Sequence, residues 1–139
     1  MDITTTPGGL AEHSIGTYRL AKTHGAGLPA DSVIIGALLH DICKSDRFWF
    51  KGRSIHQHTP KCEMDSKHSV RSIQILRSCG LKLSEAERRA IRWHMKGPKY
   101  HSRDKENELD HSKAVKDRLW HIVFDSDKKD AAVHPGQKY

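Results

Sequence analysis

The apolar positions of this chain fall into helix-like groups separated by glycine, proline and charged stretches. The most apolar run is Val33-Ile34-Ile35-Gly36-Ala37-Leu38-Leu39, which leads directly into His40-Asp41-Ile42-Cys43-Lys44. An uncharged run of this kind predicts a helix buried on most faces, started by Pro29 and capped by Asp31, and continuing to Lys44. A His-Asp pair at its inner end would be costly to bury alone, so other residues must satisfy it.

The remaining segments follow the same logic. Leu10 to His24 predicts a first helix with Leu10, Ser14, Thr17, Tyr18 and Ala21 along one face, His13 beside them, and Gly25 and Gly27 at its end. A third helix is expected from Ser66 to Cys79, where Val70, Ile73 and Leu76 recur at helical spacing and Gly80 stops the chain. Ser84-Glu85-Ala86-Glu87 reads as a capping box that opens a fourth helix, halted after Lys96 by Gly97-Pro98. Beyond a charged loop from Tyr100 to Glu108, Val115, Leu119, Ile122 and Val123 define a fifth helix from about Asp110. Ser45 to Asp65 has no regular pattern and reads as a long loop with one short helical turn, anchored by Phe48-Trp49-Phe50. Connections of that length are more often functional than idle. No strand is expected, so the fold class is all-α with about five main helices. They form a single domain over residues 1–139, its core at about 10–131 and tails at 1–9 and 132–139.

Composition narrows the partners. Only 36% of the 139 residues are hydrophobic and the mean hydropathy is −0.70, enough for one modest core. The net charge of +7 favours anionic partners through attraction that salt weakens. Lys and Arg are scattered rather than clustered, which points to a small phosphorylated substrate ahead of a nucleic-acid groove. Cys43, Cys62 and Cys79 are odd in number with no CxxC pair, which speaks against a disulfide scaffold, and no leader-like segment opens the chain. No apolar run approaches the roughly 20 residues of a membrane span. A cytoplasmic protein with reduced cysteines is expected; oligomeric state is left open.

Histidine placement carries the chemistry. Of the 11 histidines, His13 falls on the first predicted helix, His40 with Asp41 on the second, His68 on the third and His94 on the fourth, while Asp125 and Asp127 fall on the fifth. Facing helices of a bundle can bring such a series to one point. Imidazole and carboxylate donors without thiolates suit Fe, Mn, Co, Ni or Zn. Four histidines and two aspartates exceed what one catalytic ion with an open position needs, and match two ions sharing an aspartate and a hydroxide. His56, His58 and Cys62 are irregularly spaced and read as exposed loop residues rather than a zinc site.

The pieces Glu12-His13-Ser14, Leu38-Leu39-His40-Asp41-Ile42-Cys43-Lys44, Lys67-His68-Ser69, Arg92-Trp93-His94-Met95 and Asp125-Ser126-Asp127-Lys128-Lys129-Asp130-Ala131 together resemble the HD-domain superfamily of metal-dependent phosphohydrolases. The resemblance spans about Leu10 to Ala131. It implies a compact helical bundle around a metal centre, with His13, His40, Asp41 and a last-helix aspartate as ligands. His68 and His94 are similar to the extra ligands of its two-metal branch, in which Asp41 would bridge the ions. Family members usually carry an Ala-Asp pair at the last ligand; here Asp125 and Asp127 compete, and Asp127 is preferred because Trp120 and Phe124 widen the apolar face towards it.

These readings set the functional expectation. A metal-bridging hydroxide would cleave a phosphate ester or anhydride in a nucleotide or other small phosphorylated metabolite, with Asp41 and Lys44 as the catalytic residues. Lys44 lies just under one helical turn from Asp41 and is either a phosphate contact or a helix-end lysine answering the dipole. Arg71, Lys96 and Lys99 are weaker candidates for the substrate pocket. The alternatives are an HD-type mixed-valent di-iron oxygenase and a non-catalytic module that binds nucleotide or nucleic acid.

Overall fold

The computed structural model describes residues 9–46, 48–51, 55–58 and 65–133, with side chains for 9–44 and 69–133. Its first helix, α1 (Gly9–His24), buries Gly9, His13, Thr17 and Ala21, one turn apart along a single face. His13 therefore lies on the buried face rather than beside it. α1 packs mainly on the last helix, α6 (Arg118–Val133).

The apolar run departs from a regular helix. α2 (Ala30–Val33) starts behind Pro29 with no side-chain cap, so Asp31 lies inside the first turn instead of capping it. A π-helical turn follows over Ile34–Leu38 and ends at Leu39. A 3-10 helix then covers Ile42–Asp46. His40 and Asp41 thus occupy the turn between two short helices, not the end of a continuous one. Gly36 lets this turn lie against α6, since a Cβ there would meet Val123 Cγ2 at 3.0 Å.

The segment expected to be a loop carries a hairpin: β1 (Phe48–Lys51) pairs antiparallel with β2 (Ile55–His58), Phe48 opposite His58. The side chains of Phe48, Trp49 and Phe50, and all of Cys62, lie outside the described residues. Apart from this hairpin the described chain is helical, which bears out the all-α class.

α3 (Asp65–Ser78) ends as its glycine predicts. Gly80 adopts a positive φ of 88°, the Leu81 amide donates to Leu76 O and the Gly80 amide to Arg77 O, closing the last turn in a Schellman arrangement. α4 (Glu85–Arg92) opens on the expected capping box between Ser84 and Glu87. Glu87 does more than cap, because Ser32 donates to its other oxygen at 2.6 Å and ties α2 to α4. α4 stops at Arg92, so His94 falls just past the helix rather than on it.

The expected fifth helix is two helices. α5 (Lys105–Val115) begins earlier, capped by Asp104, which accepts from the Asn107 amide. The chain breaks at Lys116 and Asp117, and Asp117 accepts from the Leu119 amide to start α6. Among the described residues, three apolar clusters hold the bundle. Ala21, Val33, Ala37, Ala90, Leu119 and Val123 join α1, α2, α4 and α6. Ile73, Leu76 and Ile91 join α3 to α4, and Trp93, Ala114 and Trp120 fill the space between α4, α5 and α6.

Asp110 ties α5 to α4. Arg88 donates through both terminal nitrogens at 2.6 and 3.1 Å, Arg89 Nε at 3.0 Å and Trp93 Nε1 at 2.8 Å. Burial works to raise its carboxyl pKa, but these donors outweigh burial and hold it well below the usual range. A carboxyl held below its unfolded value stabilises the fold above that value and loses the contribution as pH falls from there through the lower folded value. Asp110→Asn is expected to cost about 2 kcal/mol at neutral pH. Urea unfolding of both proteins should show that gap narrowing as pH is lowered from about 5 towards 2.

Candidate metal centre

Two helix ends aim two histidines at the same point. The last carbonyls of a helix have no partner within it, and His40 and His94 each answer the carbonyl three residues back. His40 Nδ1 donates to Ala37 O at 2.7 Å and His94 Nδ1 to Ile91 O at 2.6 Å. A carbonyl only accepts, so both Nδ1 atoms carry protons and both Nε2 atoms turn inward. Neighbouring polar groups support the second of these turns: Ser69 donates to Arg92 O and Trp120 Nε1 to Trp93 O, both at 2.9 Å. On α3, Ser72 Oγ accepts from the Cys43 amide at 3.1 Å and holds the 3-10 turn that follows Asp41.

Carboxylates meet these nitrogens. Asp127 Oδ1 lies 2.8 Å from His13 Nε2 and 3.2 Å from His40 Nε2. Asp41 Oδ2 lies 3.2 Å from His40 Nε2 and 3.6 Å from His13 Nε2, while Asp41 Oδ1 lies 3.1 Å from His94 Nε2. The three imidazoles are fully buried and Asp41 is 1% exposed. Their rings pack edge to face, with centroids 5.2 Å apart for His13 and His40 and 4.8 Å for His40 and His94.

Such close approach of Nε2 lone pairs and carboxylate oxygens, away from water, is stable only with a proton or a cation between them. Burial lowers the His40 pKa, yet Asp41 and Asp127 outweigh it and push the ring up to about 10. For His94 burial prevails over Asp41, and its pKa falls. Burial works to raise Asp127, but the hydrogen bonds from His13 and His40 hold it far below the usual carboxylate range. His13, His40, Asp41 and Asp127 place one donor atom each within 4.8 Å of one another. The fixed Nδ1 protons and convergent Nε2 atoms fit a divalent transition metal, and this cluster can hold one.

Of the residues picked out from sequence, the fold thus brings together His13, His40, Asp41, His94 and Asp127. Asp125 is exposed and away from them. His68 has its backbone in the first turn of α3, but its side chain lies outside the described residues, as do those of His56 and His58. Lys44 is 1% exposed, with Nζ 3.3 Å from Asp41 Oδ2, so it belongs to the buried site and not to an exposed helix end. Arg71 sits half-buried on α3. Lys96 lies over the Tyr100 ring at 5.1 Å and Lys99 is exposed, and neither has a described contact with the donors. Sequence reasoning missed Asp130, whose Oδ2 accepts from His13 Nδ1 at 2.7 Å. Its signal was its place one turn beyond Asp127 on the same helix face.

The sequence model of one protein family, described as HD domain, matches residues 10–132. Neither the curated proteins nor the solved structures offer a match to the chain.

Because a metal competes with the His40 proton, binding should release protons at neutral pH and weaken as pH falls. Calorimetry of Co²⁺ binding in buffers of different ionisation enthalpy should give about one proton released per ion at pH near 7.5.

Proposed function

The chain belongs to the HD-domain family, and from that premise we propose that it is a metal-dependent phosphohydrolase with a two-ion centre. The observation that carries this reading is the division of Asp41 between its two oxygens. Oδ2 faces His13, His40 and Lys44, and Oδ1 faces His94. A carboxylate with a separate imidazole set on each oxygen is suited to serve two cations. His13, His40, Asp41 and Asp127 would hold one ion; Asp41, His94 and His68 would hold the other.

The substrate class follows from charge. Lys44 offsets the charge of Asp41 among the donors and would also meet an anionic substrate there. The +7 net charge of the chain favours approach of the same class of molecule. A nucleotide or other small phosphorylated metabolite fits both. When bound, divalent metals polarise a phosphoryl oxygen and lower the pKa of a coordinated water.

The protein's own groups would do the rest. Backbone carbonyls hold the Nδ1 protons of His40 and His94 and so keep their Nε2 atoms as donors. Lys44 would bind a non-bridging phosphate oxygen and offset charge as it develops. Burial of the rings removes bulk water, which strengthens each of these contacts.

With Mn²⁺ or Co²⁺ added, the protein is expected to release phosphate from common nucleotides. Asp41→Ala should lower the rate by at least about 100-fold with loss of bound metal, and activity that survived it would overturn the mechanism. Lys44→Met should keep its metal and lose about 10- to 100-fold in kcat/KM. Iron in the purified protein together with oxygen consumption, without phosphate release, would point to an oxygenase instead.

A further inference from the structure

We propose that Asp130 and Gly16 act together as a positioning pair that fixes His13 in the metal centre. The inference rests on the metal reading above and adds two residues to it. The three histidines do not receive the same outer partner. His40 and His94 donate through Nδ1 to backbone carbonyls, whereas His13 donates to the Asp130 carboxylate at 2.7 Å.

A helix-interior histidine has no free carbonyl to answer, because α1 continues for several turns beyond His13. Its Nδ1 partner must therefore come from another helix, and α6 supplies it. Asp127 and Asp130 stand one turn apart on α6 and meet opposite ends of the same ring, Asp127 at Nε2 and Asp130 at Nδ1. The ring is thereby held along its length.

Asp130 is 7% exposed and sits in the same buried region as Asp41 and Asp127. A third carboxylate there is costly, and a neutral acceptor would hold the ring for less. What the charge adds is a charge-assisted bond to the ring, and a carboxylate on the outer nitrogen strengthens an imidazole ligand.

Gly16 makes the contact possible. A Cβ at position 16 would lie 1.9 Å from Asp130 Oδ1 and 2.7 Å from its Cγ, so even a methyl group would force the carboxylate to move. His13 and Gly16 are one turn apart on α1, so the space left by the missing side chain lies beside the ring and is filled by the Asp130 carboxylate.

The test compares Asp130→Ala, Asp130→Asn and Gly16→Ala with the wild type in three measurements: Co²⁺ affinity by visible absorbance, thermal unfolding in EDTA, and the His13 Nδ1–H resonance in metal-free protein. Asp130→Ala and Gly16→Ala are expected to weaken Co²⁺ binding by about 10- to 100-fold. Asp130→Asn should fall between them and the wild type, because its amide oxygen still accepts from Nδ1 but carries no charge. The Nδ1–H resonance should disappear in Asp130→Ala and shift in Gly16→Ala. Wild-type Co²⁺ affinity in folded Asp130→Ala, or an Asn variant no better than Ala, would overturn the proposal. If Asp130→Ala does not fold, the other two variants decide it. Should the wild type take up no Co²⁺, the metal reading itself fails, and an unchanged Nδ1–H resonance across the variants would separately defeat the pair.

Discussion

The constraint on which this structure depends is the burial of carboxylates among imidazoles. Asp41 and Asp127 place their oxygens against three Nε2 atoms in a largely buried region. Isolated, either carboxylate would cost several kcal/mol there. The cost is tolerable because positive charge converges on them: Lys44 on Asp41, and a proton or cation at the histidine nitrogens. Each helix that borders the site is placed so that this convergence can occur.

Helix endings, more than helices, do the placing. The π turn finishes at Leu38 and α4 at Arg92, and in both cases the histidine two residues on folds back onto a carbonyl of the finished helix. An uninterrupted helix through His40 would have kept that carbonyl for its own amides and left the ring to turn freely. A π-helical turn is an unfavourable local choice that recurs at functional sites. Here Gly36 leaves room for the turn to lie against Val123 on α6. Local irregularity and side-chain orientation are one feature.

Much of this was legible in the sequence where the cause is local. The capping box at Ser84 and Glu87 and the glycine stop at Gly80 act within a turn of themselves, so their residue types report them directly. The preference for Asp127 over Asp125 came from helical periodicity, because Trp120 and Phe124 widen the apolar face towards Asp127. Features set by distant partners were not legible. Nothing between Ile34 and Leu38 announces a π turn, since its support comes from α6. The break at Lys116-Asp117 depends on one aspartate capping a new helix, which reads like any charged residue in a helical run. Asp110 looks like a solvated acid until Arg88, Arg89 and Trp93 surround it. Asp130 follows Lys128 and Lys129 in a charged run, and its partner lies on α1, far away in the chain.

α6 joins these themes, because one helix carries both the apolar core and the acidic half of the site. Leu119, Trp120 and Val123 pack its first half into two clusters, and Ser126, Asp127 and Asp130 extend the same buried face. The face changes from hydrophobic to acidic within about one turn, with no shift in register. The apolar half fixes the rotation of the helix, and that rotation alone directs both aspartates at α1. His13 in turn needs α6 for both of its nitrogens, so the contact between the first and last helices is specified by charge as well as by packing. A helix rotated to relieve the buried carboxylates would expose Val123 and Trp120, while one that kept the core could not release them. Hydrophobic burial therefore sustains an electrostatically costly arrangement, and a bound cation would remove the cost without moving the helix.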